Sequence, residues 1–287
     1  MATLYRRVLP AQPDRPVLIV AMEGWIDAGA GAATALAHLL AALPTEVLAT
    51  FDGDELVDYR SRRPVLRISD GVDVGLTWRE PEMRVGHDEA GNDVLLLVGP
   101  EPDTRWHAFT AAVVELAREL GVRMVVGLGA FPAPVPHTRP VKLAATATDS
   151  ALAAQVGFVG GTIDVPAGVQ AALELAFGEA GIPAVGLWAR VPHYVSAMAY
   201  PPAAAALVEG LASVAQLSLD AAPLHATADA TRQQVDELIA KSAEHLAMVR
   251  QLEATLDQAE GNPLDVGQMP SGDEIAAELE RFLRGEG

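Results

Sequence analysis

Four short, almost wholly apolar runs set the fold class of this chain: PVLIVAM at 16–22, VLLLVGP at 94–100, RMVVGLGA at 123–130 and PAVGLWARV at 183–191. None alternates apolar with polar residues. A strand without alternation is covered on both faces, which is the condition of a strand in a parallel sheet between two helical layers. The segments between the runs carry helical spacing. EGWIDAGAG leads from the first run into ATALAHLLAAL, and TEVLATF at 45–51 is the next strand, giving a first βαβ unit. A helix is predicted at about 104–120, capped by Asp103 or Thr104, with Phe109, Val113, Leu116 and Leu120 on one face. KLAATATDSALAAQ reads as a short strand plus a helix. Further helices are predicted at 165–181, with Pro166 early and Gly181 at the end, and at 201–217.

Two regions depart from this rhythm. Residues 52–93 hold short, partly alternating pieces (LRIS, VGLTWRE, MRVGHD) separated by the turn sequences SDGVD and DEAGND, an antiparallel excursion between parallel units. After about residue 222 the chain turns polar. One long helix is predicted at about 227–259, its apolar stripe formed by Val235, Leu238, Ile239, Leu246, Val249, Leu252 and Leu256. A linker, GNPLDVGQMP, precedes a capping box from Ser271 to Glu274 and a last helix striped by Ile275, Leu279, Phe282 and Leu283. The expectation is a three-layer α/β/α sandwich with a mostly parallel sheet at 1–222, the excursion at 52–93, and a helical extension at 223–287.

Charge and cysteine content exclude whole classes of function. The formal net charge is −18 and no basic stripe interrupts it, so a nucleic-acid partner is not expected. Without cysteine there is no disulfide, thiol nucleophile, thiolate zinc site or iron–sulfur cluster. No signal-peptide pattern and no membrane-spanning run is read, so the expected location is the cytoplasm.

Ligands of open α/β sheets gather beyond the C-terminal ends of the strands. Four loops are expected there: 23–31, 99–107, 129–140 and 190–198. The last two each carry Val-Pro-His. Together the loops would bring Glu23, Trp25, Asp27, Glu101, Asp103, Trp106, His137, Arg139, His193 and Tyr194 to one cleft. Each also has a plainer reading: proline and histidine suit a turn, and Asp103 suits a helix cap. Familiar chemical motifs are missing. There is no GxGxxG, Walker A, HExxH or GxSxG pattern, and no two histidines lie at i, i+3 or i+4. No metal or cofactor is therefore expected. Ser196, three residues after His193, fits a turn better than a nucleophile. The stripe containing Leu246, Val249 and Leu252 suits packing either on its own domain or on another subunit.

In combination and order, LIVAMEGWIDAGAGAA, GPEPDTRWHAF, VVGLGAFPAPVPHTRP, ARVPHYVSAMAYPPAA and PSGDEIAAELERFLR resemble the proteasome assembly chaperone two family, in particular its actinobacterial branch. The resemblance runs from about residue 15 to the end. It implies a phosphorylase/hydrolase-like α/β/α fold and self-assembly, with trimers among the expected forms. Eukaryotic relatives act as proteasome assembly chaperones and archaeal relatives form homo-oligomers. It transfers no catalytic residue. Two functions follow as expectations. The first is a non-catalytic, self-associating binding or assembly protein with proteasome subunits as candidate partners. The alternative is a small-molecule hydrolase or phosphorylase-like enzyme using the four-loop cleft, with His137, Arg139 and His193 as polar groups.

Overall fold

The computed structural model of the chain describes residues 4–24 and 26–261. In chain order the elements are β1 (Tyr5–Arg7), β2 (Val17–Glu23), α1 (Gly31–Ala42), β3 (Thr45–Phe51), α2 (Gly53–Leu56), β4 (Val65–Ser69), β5 (Val72–Thr77), β6 (Glu82–His87), β7 (Asp93–Pro100), α3 (Trp106–Glu119), β8 (Met124–Ala133), β9 (Leu143–Ala147), α4 (Ser150–Val156), α5 (Val169–Glu179), β10 (Ala184–Pro192), α6 (Pro201–Ala215), α7 (Ala222–Ile239) and α8 (Ala243–Gly261). Eight strands form one sheet in the order β1-β3-β6-β7-β2-β8-β10-β9. The four apolar runs are its parallel centre, β7-β2-β8-β10. The flanking pairs β1/β3, β3/β6, β6/β7 and β9/β10 are antiparallel.

The lack of alternation in β2 has its physical counterpart in two cores. Val17, Ile19 and Ala21 face one hydrophobic cluster, shared with α1, α6, α7 and α8. Leu18 and Val20 face a second, shared with α3 and α5. The result is the expected three-layer α/β/α sandwich. The C-terminal helices belong to the first layer: Leu224, Val235, Ile239 and Val249 are buried in the same cluster as the β2 side chains.

Several elements differ from the sequence expectation. β3 runs parallel to β2 but is separated from it by β7 and β6, because β6 is drawn into the sheet. Its Met83 is fully buried while Arg84 donates to Thr45 Oγ1 at 3.0 Å. Gly86 is needed there, since a Cβ would lie 2.5 Å from the Pro44 carbonyl oxygen. Among the described residues, the hairpin of the excursion, β4 and β5, pairs only with itself. Its turn is Asp70-Gly71, with φ of 50° and 81°, the positive pair that two-residue hairpins favour.

The predicted cap of α3 is also different. Arg105, at φ 59°, occupies the N-cap, and the Asp103 carboxylate instead accepts from the Asp58 N–H at 2.8 Å and from Arg62 Nε. α5 starts at Val169, after Pro166, where Glu101 Oε2 accepts the Val169 N–H at 3.0 Å. The predicted long helix is two helices. α7 ends at Ile239, and Ser242 restarts the chain by accepting the His245 N–H on its hydroxyl and the Leu246 N–H on its carbonyl. The capping box at Ser271 and the stripe from Ile275 to Leu283 lie outside the described residues.

Candidate functional site

The turn after β2 is built around one carboxylate. Asp27 accepts the N–H groups of Ala32 at 2.8 Å and Ala33 at 2.9 Å, so its charge sits at the start of α1, where helix N–H groups lack partners. Burial pushes its pKa up, and the backbone donors limit the rise. Gly29, at φ 63°, lets the turn close on the chain after β10: a Cβ there would lie 2.6 Å from Tyr200 Cβ. Gly29 N–H donates to Ser196 O at 2.7 Å, and Tyr200 N–H donates to Gly29 O at 2.8 Å.

The two Val-Pro-His loops meet at Tyr194. Its ring stands edge-on to His137 at 5.7 Å and to His193 at 5.3 Å. His137 is buried, at 2% exposure, and every polar atom of its ring has a partner. Tyr194 Oη accepts the His137 backbone N–H at 2.8 Å and lies 2.7 Å from Nδ1. Nε2 lies 2.9 Å from Asp236 Oδ1 on α7. One assignment satisfies every group: the phenol donates to Nδ1, and Nε2–H donates to the carboxylate. Burial raises the Tyr194 pKa well above the usual phenol value, so the hydroxyl keeps its proton. Two residues on, Arg139 grips α8. Its Nε and one terminal nitrogen donate to Asp257 at 3.1 and 2.8 Å, the other to Glu253 at 3.2 Å, and Thr138 donates to the same Glu253.

The first Val-Pro-His loop is thus tied to the chain's own C-terminal helices. His137 fastens α7 and Arg139 fastens α8. Val249 is buried in the first core, and Leu246 packs against it; Leu252 is half-buried. His193 is exposed, and Ser196 Oγ donates to its carbonyl at 2.8 Å, which is a turn arrangement.

The other candidates lie apart from this cluster. Trp106 packs against the second core and donates from Nε1 to Pro102 O at 2.5 Å, whereas Tyr194 packs against the first. Glu101 holds the start of α5, and Glu23 pairs with Arg79 beside the β4–β5 hairpin. Trp25 lies outside the described residues. Among the described residues, no group of three His, Asp or Glu side chains could hold a metal ion, and no helix is long and apolar enough to cross a membrane.

Sequence reasoning missed Asp236, Glu253 and Asp257, because only folding brings a polar helix face onto a loop about a hundred residues away. It also missed a polar cluster beneath α5. Glycines 127, 129 and 186 remove side chains from β8 and β10, and the space is taken by Gln170, Trp188 and Glu174. Glycine inside strands was the available signal. Thr146 Oγ1 links Trp188 Nε1, at 3.1 Å, to Glu174 Oε2, at 2.9 Å. Burial raises the Glu174 pKa from 4.5 to about 7. A raised carboxylate pKa favours the folded state fully below the unfolded value, and that advantage is lost as pH rises through the folded value. Glu174→Gln is therefore expected to flatten the fall of the thermal midpoint between pH 5 and 8. It should stabilise the protein at pH 8 by on the order of 2 kcal/mol, the shift being discounted for partial solvent screening.

Comparison with known proteins places this geometry. The PAC2 family model matches residues 21–239. The Mycobacterium tuberculosis protein of unknown function Rv2714 is 37% identical, over 91% of this chain and 93% of its own, with a TM-score of 0.83. The Mycobacterium tuberculosis proteasome-assembly chaperone homologue Rv2125 is 38% identical, over 81% and 99%, with a TM-score of 0.73. A PAC2 family protein of Streptomyces avermitilis is 35% identical, over 82% and 99%, with a TM-score of 0.72. A comparison with curated proteins finds no match. With the family model spanning most of the sandwich and the similar structures coming from actinobacteria, the chain belongs to the PAC2 family.

Proposed function

We propose that the chain is a non-catalytic, self-associating assembly protein of the cytoplasm, with the β4–β5 hairpin as its association arm. The observation that carries this reading is the exposure of the arm. Val65, Leu66, Ile68, Val72, Val74, Leu76 and Trp78 are each 46–62% exposed. An isolated two-stranded hairpin is marginal in water, and a cluster of uncovered apolar side chains marks a contact surface.

The occupant we assign is a second copy of the chain. Residues 65–78 contain Arg67, Asp70 and Asp73 and no other charge, so the arm is nearly neutral on a chain of net charge −18. Repulsion between copies is least where the contact is neutral. Further uncovered apolar side chains support the same reading: Phe158, Ile163, Val165 and Leu175 are 52–72% exposed. An arm seated on a different surface of the next copy makes a head-to-tail contact, which closes into a ring when the rotation allows, a trimer being one such ring.

The engagement of the first Val-Pro-His loop by the C-terminal helices favours this reading over a hydrolase or phosphorylase. His137 and Arg139 are engaged by α7 and α8, and among the described residues the His193 ring has only its contact with Tyr194. The similarity to a proteasome-assembly chaperone homologue makes proteasome subunits the candidate client. The test is the solution mass by light scattering during size exclusion. The expected mass is a multiple of 30.1 kDa at micromolar concentration. A monomer at every concentration up to roughly 100 µM, well above the range of a stable oligomer, overturns the proposal.

A further inference from the structure

A recess under α8 is lined by two arginines that the self-association reading does not use. It is lined by Arg139, Lys142, Arg190, Tyr200, Val135 and Leu256 among others. The chain has 20 basic against 38 acidic residues, and two of its arginines, Arg139 and Arg190, line this one recess. The Arg190 Nε is buried without a hydrogen-bond partner. An orphaned buried donor on a cation is costly to keep, and a bound acceptor removes that cost. Burial also lowers the Arg190 pKa, in keeping with a guanidinium held away from water.

The neighbouring arginine shows which chemistry the rim accepts. Arg139 is already held by two carboxylates of the same chain, Asp257 in a two-pronged contact and Glu253 beside it. The planar guanidinium fork matches an oxyanion in this way. Leu256, on the same turn of α8, lies at the recess itself. The recess has room for about one water, so a larger ligand needs its walls, Leu256 of α8 among them, to shift.

We infer that this recess is a binding site for a small oxyanion, a carboxylate or phosphoryl group held by Arg190 and Arg139, with Asp257 and Glu253 of α8 as its competitors within the chain. Occupation exchanges the Asp257 contact for the ligand and loosens α8 from the loop. The site is independent of the hairpin, so loss of either reading leaves the other standing.

Titration calorimetry with sodium phosphate and, separately, sodium acetate at fixed ionic strength tests the assignment. In Asp257→Asn/Glu253→Gln, at least one anion is expected to bind about tenfold more tightly than to the unaltered chain, a factor equivalent to removing a competitor worth about 1.4 kcal/mol. Adding Arg190→Met is expected to abolish that binding. Phosphate alone identifies a phosphoryl ligand, and acetate alone a carboxylate. No heat from either anion up to roughly 20 mM, equal affinity in both proteins, or binding that survives Arg190→Met overturns the proposal. If the double variant does not melt cooperatively, the unaltered chain and Arg190→Met decide. Phosphate or acetate must raise the thermal midpoint of the first and not of the second, and equal shifts or no shift overturn the assignment.

Discussion

Replacing His137 by alanine is expected to lower the thermal midpoint by about 5–10 °C, whereas His193→Ala is expected to shift it by about 1 °C or less. The contrast follows from what each imidazole touches. His137 is 2% exposed and joins the loop after β8 to Tyr194 of the other Val-Pro-His loop and to Asp236 on α7. Alanine leaves the Tyr194 hydroxyl without its imidazole acceptor, removes the tie to α7 and opens a void the size of the ring. Stranding a buried hydroxyl costs about 1–3 kcal/mol, and the void adds to it. A domain of this size loses about 2–4 °C per kcal/mol. His193 is exposed, makes one ring contact with Tyr194 and lends only its carbonyl to Ser196, which alanine preserves. Scanning calorimetry on the two variants separates the roles. An unchanged midpoint for His137→Ala would mean that the imidazole does not hold the helices.

The second large effect concerns assembly. Ile68→Asp combined with Val74→Asp is expected to convert the oligomer entirely to the 30.1 kDa chain. The thermal midpoint measured on the dilute chain should stay within about 2 °C, as expected for exposed positions. Both side chains are more than half exposed, at 61% and 53%, and among the described residues the hairpin pairs with no other strand. Placing carboxylates there removes little from the folded monomer. In a contact they would be buried without partners, at several kcal/mol each, on a chain that already carries −18. Light scattering reads the mass, and an oligomer that survives both substitutions removes the arm from the interface.

What was legible in the sequence is what local pattern controls. Val17 to Met22, Val94 to Pro100 and Ala184 to Val191 reveal a doubly covered sheet because burial on both faces leaves a single charged position in them, Arg190, near the end of the last run. Asp70-Gly71 and Gly29 of the first turn reveal bends because positive φ is open to few residues. The meeting of the two Val-Pro-His loops at Tyr194 follows from strand direction alone, since β8 and β10 are parallel neighbours. The occupants of that meeting place were not legible. Asp236, Glu253 and Asp257 read as a solvated helix face; the packing of α7 brings Asp236 to the loop, and the break at Ser242 lets α8 bring Glu253 and Asp257. The split of the cleft residues also escaped, because Trp106 and Tyr194 sit at the same end of the sheet yet pack on its opposite faces. The exposure of the hairpin was hidden for a related reason. Val65 to Trp78 has the composition of buried strands, and sequence pattern does not distinguish burial within a chain from burial between chains.

Hydrogen exchange across residues 65–78, followed as the protein is diluted, probes the association arm without altering it. The account predicts slow exchange of the arm at high concentration and fast exchange on dilution, with the amides of β2 and β8 slow throughout. Arm amides that exchange fast at every concentration while the mass remains a multiple of 30.1 kDa would place the interface elsewhere and contradict it.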